Sequence, residues 1–305
     1  MGQCSFSLWR KDGIIFEKFI TYYFNLMKKL TFIAIAICSI LFVSCNKEKT
    51  VTTNETDGLK LLKVISNDTN TVELYTRNGK LLEGYNDIFL RIKDKATGVY
   101  KTDATINWMP IMHMTSMMHS APKSPISKVA GMQTLYKGYI VFQMPENPSE
   151  KWTLSLAWQS GGLASGLMDT VPVNISDKKR VVVFTGADAQ RYILAYTTPA
   201  VPTVAVNDFT VCLFKKETML SFPAVTDATI LFDPRMTGMG NHSSPNNVQP
   251  IFSATDNLYH GKLSLTMTGY WKLNFIVKDA TNAVLKGEEV TTSNESSSLY
   301  LELEF

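Results

Sequence analysis

Cysteine is scarce in this chain: four residues in 305, three of them (Cys4, Cys38, Cys45) within the first 45. Only Cys212 lies beyond, so no disulfide framework is available, and without a Cys-x-x-Cys pair neither is a thiol redox or zinc-ribbon motif. Glycine (17) and proline (12) are too few for a collagenous or low-complexity chain. Charge is sparse as well, at 19% of residues. Once residues 1–44 are set aside, 25 basic and 25 acidic residues remain. A chain that neutral has no electrostatic footprint for a phosphate backbone, so no nucleic-acid partner is expected. Enzyme signatures are missing too: no Gly-x-x-x-x-Gly-Lys-Ser/Thr, no Gly-x-Ser-x-Gly, no His-Glu-x-x-His. Nothing sets a nucleophile beside a base, and the expectation is a protein without catalysis.

One long uncharged run is present. Lys28-Lys29 precede Leu30 to Val43, which ends at Phe42-Val43-Ser44-Cys45. Fourteen residues rise about 21 Å as a helix, short of a hydrocarbon core about 30 Å thick, so the run reads as a secretory signal and not as a permanent span. Met27 is the natural initiator for that signal, which makes residues 1–26 an upstream extension. A Cys directly after the cut resembles the lipobox of bacterial lipoproteins, with Phe42 where Leu is more usual. The resemblance implies lipidation at Cys45, a membrane partner through that anchor, and a place in the cell envelope. Asn46, with no acidic run behind it, points to the outer membrane facing the periplasm. Residues 45–57 are polar and Thr-rich and read as a flexible tether.

The remainder repeats itself. Tyr75-Thr76 recurs as Tyr196-Thr197 and Asn86-Asp87 as Asn207-Asp208; Thr102-Asp103-Ala104-Thr105-Ile106 returns unchanged at Thr226 to Ile230. His119-Ser120-Ala121-Pro122 matches His242-Ser243-Ser244-Pro245, and Leu135-Tyr136-Lys137-Gly138 matches Leu258-Tyr259-His260-Gly261. A near-constant offset of 121 to 124 residues signifies a duplicated module. Each copy alternates apolar and polar residues, as in Leu263, Leu265 and Met267, or Trp152, Leu154, Leu156 and Trp158. Strands are expected near Thr71–Thr76, Asp87–Lys93, Asp103–Trp108 and Arg180–Phe184, with a hairpin turn at Asn78-Gly79. About seven short strands per copy and no helical period predict an all-β protein: two tandem immunoglobulin-like β-sandwiches, residues 58–186 and 187–305.

Met and His concentrate at one place in each copy. Five Met lie between Met109 and Met118, closely followed by His119, and a thinner version runs from Met236 to His242. Thioether sulfur is soft and needs no deprotonation, so it suits Cu(I), and imidazole suits copper or zinc. The candidate metal ligands are Met112, His113, Met114, Met117, Met118, His119, Met236, Met239 and His242. The competing reading is that the loop caps the open end of the sandwich or docks onto an envelope partner. Met144 and Met267 share faces with apolar neighbours and read as core, as does Cys212 within Phe209–Phe214; His260, whose counterpart is Lys137, reads as a solvated strand residue.

Met-x-x-Met followed by His-Ser-x-Pro, then Tyr-x-Gly, a Met-ending strand and a Trp-initiated strand resembles the YtkA-like domain of bacterial envelope proteins. The firmest parts are Asp87 to Trp158 and Asp208 to Val277. The resemblance implies an immunoglobulin-like sandwich and a link to copper, with no enzymatic activity.

Overall fold

Wherever apolar and polar residues alternate, the chain is extended. The computed structural model describes residues 54–305 together with Tyr22, Tyr23 and Met27. The signal run, Cys45 and the tether as far as residue 53 lie outside the described residues. Eleven strands precede residue 175: β1 (Lys60–Ser66), β2 (Asn70–Thr76), β3 (Leu81–Leu82), β4 (Gly84–Asp94), β5 (Thr105–His113), β6 (Met118–His119), β7 (Ser127–Lys128), β8 (Tyr136–Phe142), β9 (Lys151–Ser160), β10 (Leu163–Val171) and β11 (Val173–Asn174). Ten follow: β12 (Val181–Thr185), β13 (Arg191–Thr198), β14 (Val206–Lys215), β15 (Thr229–Met236), β16 (His242–Ser243), β17 (Val248–Ser253), β18 (Leu258–Ser264), β19 (Tyr270–Lys278), β20 (Val284–Lys286) and β21 (Tyr300–Glu304). The described chain is all-β, and among the described residues no helix is long and apolar enough to cross a membrane.

The first sheets run β1-β2-β4-β8-β7 and β10-β9-β5-β6; the later ones run β12-β13-β14-β18-β17 and β16-β15-β19-β20, with β21 also paired to β19. Strand for strand the second order repeats the first, β10 being matched by β20 and β21 together. A loop between Lys286 and Tyr300 divides that last edge.

Each pair of sheets encloses its own apolar core, because the inward half of every alternating strand meets the same half of the facing sheet. The first core holds Trp108, Phe142, Trp152, Leu154 and Leu156, with Phe142 edge-on to Trp152 at 4.9 Å. The second stacks Phe209 on Phe232 at 4.6 Å beside Phe275. Each such ring contributes about 1.5–3 kcal/mol by leaving water. Trp152 and Trp271 are both fully buried, and their indole N–H groups donate to the carbonyls of Met144 and Met267, each at 3.1 Å. Both methionines pack partly buried against their cores.

A third cluster joins the two sets. Val141 from β8 meets Val181, Ile193, Ala195, Cys212, Phe214 and Leu258 from the second, with Tyr85 and Tyr139 packed against them. Cys212 is fully buried there, as its apolar surroundings in sequence suggest, and burial pushes its thiol up to about 12.

Three details differ from the sequence expectation. The strand beginning near Arg180, assigned above to the first module, pairs with β13 over Val181–Thr185 and so belongs with the second pair of sheets. It occupies there the edge that β1 occupies in the first. Asn78-Gly79 makes a turn, in which Thr76 Oγ1 accepts from the Gly79 N–H (2.8 Å), but it feeds β3, which pairs in parallel with β11, while β2 pairs with β4. The tether is fixed from Asn54 onward: the Glu55 carboxylate accepts from the Thr134 N–H (2.9 Å) and hydroxyl. Those bonds outweigh the cost of its partial burial and lower its pKa.

Candidate functional site at a methionine-rich hairpin

The Met/His segment of the first copy forms a hairpin. Met112 pairs with His119 and His113 with Met118, and the Met114 N–H donates to the Met117 carbonyl at 3.0 Å, carrying the same register to the turn at Thr115-Ser116. Side chains alternate across a strand, and residues opposite each other share a face. Met112, Met114, Met117 and His119 therefore share the inner face. His113 and Met118 share the outer one.

Exposure along the inner face grows toward the tip. Met112 is fully buried in the core, Met114 and His119 are half-buried, and Met117 is 47% exposed. Met112 is packing as well as sulfur, so a metal approaching from the tip would meet Met114, Met117 and His119 first. His119 Nδ1 lies 2.9 Å from the Ser120 carbonyl oxygen. A carbonyl can only accept, which assigns the proton to Nδ1 and leaves Nε2 with its lone pair. That is the arrangement a metal-binding imidazole uses, its second nitrogen tied to a backbone oxygen. The ring stands edge-on to Trp152 at 5.4 Å, which limits its rotation.

The outer face is less suited to a cation. His113 Nε2 is 2.9 Å from Thr153 Oγ1, and His113 pairs with Lys151 on the same neighbouring strand, β9. Met118 is 57% exposed, and Lys151, though bound to Glu146 at 3.3 Å, keeps positive charge nearby. Among the described residues no three His, Cys, Asp or Glu gather in a way that could hold a metal ion. Any metal held by these residues would depend on thioether sulfur.

The second copy keeps less. Met236 pairs with His242 as Met112 does with His119. Met236 is buried, and its methyl fills the space that a Cβ on Gly269 would take, 2.7 Å away. His242 is exposed, and Met239 sits 58% exposed on a single 3₁₀ turn, Thr237–Met239. Gly238 and Gly240 occupy the tip where the first copy has Met114 and Met117. The nine candidates thus divide into one inner-face set of four, an outer pair, and a second-copy trio of which Met236 serves the core. His260 is exposed and faces Asp256 at 2.9 Å.

Two neighbours of the hairpin were not legible beforehand. Ser120, fully buried, donates its hydroxyl to the Met109 sulfur (3.3 Å) and its N–H to the carbonyl of Met219 (2.8 Å) in the loop after β14. Trp152 was readable as the start of a strand, but its place beside His119 follows from the register alone.

No protein-family model matches the chain, and no curated protein matches it.

Proposed function

We propose that this chain is a non-catalytic, lipid-anchored protein of the cell envelope, acylated at Cys45 on the periplasmic side of the outer membrane, that binds copper as Cu(I) at the tip of the β5–β6 hairpin. The observation that carries the copper reading is the shared inner face of Met112, Met114, Met117 and His119, with His119 Nδ1 committed to the Ser120 carbonyl. Three neutral sulfurs and one neutral imidazole are a donor set for a soft monovalent ion, and they add no charge to a partly buried position. The second hairpin, with glycines at its tip, serves as scaffold. The strand orders favour two copies of one YtkA-like, immunoglobulin-like module: β2-β4-β8-β7 with β10-β9-β5-β6 follows the A-B-E-D and G-F-C-C′ arrangement, and the second set repeats it. The anchor rests on the run Leu30–Val43 and the Cys that follows it.

Titration with Cu(I) under reducing conditions, against a competing chelator, tests the metal role. The wild-type chain should retain copper, the combined Met114→Leu, Met117→Leu, His119→Ala variant should release it, and Met239→Leu with His242→Ala should change nothing. Equal retention by the first variant refutes the site.

The exposure of Met117, Met118 and Met239 favours a second reading, a structural lipoprotein that docks these methionines onto an envelope partner without metal. Association with such a partner would survive chelation and fail on Met118→Asp.

A further inference from the structure

A cleft of about 240 Å³ opens where the connection Ile175–Arg180 passes between the two pairs of sheets. Arg180 lines it without a hydrogen-bonding partner. Its Nε is buried and unpaired, and among the described residues its guanidinium makes no hydrogen bond or ion pair; its one close polarisable neighbour is the Tyr196 ring, 5.5 Å away. Buried donors are nearly always satisfied, and a fixed cation left open in a concavity marks a place for an acceptor.

The position of Arg180 is built. The Lys179 N–H donates to Glu302 Oε2 at 2.9 Å and the Lys179 carbonyl accepts from the Glu302 N–H at 2.8 Å, fastening the preceding residue to β21. On the other side the Arg180 Cβ lies 3.1 Å from where a Cβ on Gly84 would be, a tight approach at a residue whose φ of +96 favours glycine. The backbone and Cβ of Arg180 are therefore fixed at the mouth of the cleft before any ligand arrives.

We propose that this cleft binds a small monocarboxylate through Arg180. The planar fork of a guanidinium matches a carboxylate with two parallel hydrogen bonds. Leu82, Pro202 and Leu303 supply an apolar wall for the body of the ligand. Lys178 is spent on Glu304, while Asp177 adds a negative charge to the rim, which selects against dianions such as phosphate.

Calorimetric titration of the full chain with benzoate, and separately with inorganic phosphate, tests the assignment. Benzoate should bind saturably and more tightly than phosphate. Arg180→Met should weaken benzoate at least about tenfold, the worth of a charge-assisted pair, and Arg180→Lys should fall between. Ala200→Trp, which fills the cleft from an exposed loop position and leaves Arg180 itself in place, should abolish binding. Absence of saturable benzoate binding, tighter binding of phosphate, or unchanged affinity in Arg180→Met would each overturn the proposal. Where Arg180→Met does not fold, retained benzoate binding in Ala200→Trp overturns it.

Discussion

Met112 stands where core packing meets the proposed copper site, and replacing it separates the two. It is fully buried among the first core's residues and pairs with both Trp152 and His119. Met112→Ala removes three heavy atoms from a closed site, and a cavity beside a tryptophan that Phe142 already braces collapses poorly. Such truncations cost about 2–5 kcal/mol, and the upper half of that range is expected here. For a unit of this size, each kcal/mol lowers the melting temperature by about 2–4 °C, which puts the drop at about 7–20 °C in metal-free protein. Met112→Leu conserves volume and should cost less than about 1.5 kcal/mol while removing the sulfur. Met117→Ala, at the 47% exposed tip, should stay within about 0.5 kcal/mol. Urea denaturation monitored by tryptophan fluorescence, with chelator present, reads all three. A Met112→Ala loss under about 1 kcal/mol, or a Met117→Ala loss equal to it, would refute the division of the inner face into a packed floor and an open tip.

Further outcomes are expected. Gly287 has φ +95, and a Cβ there would lie 2.0 Å from the Phe275 carbonyl oxygen, so Gly287→Ala should destabilise by more than about 3 kcal/mol. Gly131→Ala, at φ +77 with open space around it, should cost only about 1–2 kcal/mol by the same denaturation assay. The Ser298 N–H and hydroxyl, each 2.7 Å from the Glu288 carboxylate, hold its pKa below the ordinary 4.5. A lowered carboxylate stabilises the fold above its unfolded pKa and loses that contribution as pH falls through its folded value, so Glu288→Gln should flatten the acid limb of stability below about pH 4.5 and leave pH 7 to 8 level. The Cys212 thiol, pushed up to about 12 by burial, should resist a thiol reagent at pH 8 in the native chain and react at once in denaturant. Rapid native labelling would contradict the burial.

Much of this architecture was readable from residue order. Period-2 alternation marks the cores, and the recurrence of Tyr-Thr, Asn-Asp and Thr-Asp-Ala-Thr-Ile marks paired strands that occupy matching sheet positions. The equivalence of the edge strands escaped: Arg180–Phe184 was readable as a strand, but Lys60–Ser66 and Val181–Thr185 share too little sequence to be matched except through what they pair with. The site was half legible. Alternation alone puts Met112 with Met114 and against His113, but the return of Met117 and His119 to the same face depends on a two-residue turn that no glycine or asparagine announces. Arg180 gave no signal at all. An unpartnered guanidinium is a property of what surrounds it, and its surroundings come from Gly84, Tyr196 and Glu302, far apart in sequence.

The apolar seam around Cys212 bears on how this protein can be studied. Severing the chain near residue 178 would lay bare Val141, Tyr85 and Tyr139 on one fragment and Ile193, Phe214 and Leu258 on the other. Either piece would carry a sticky patch sized for its lost companion, so dissection into single modules invites self-association, and titrations carried out on such halves would report aggregates. The intact tandem is the smallest faithful specimen.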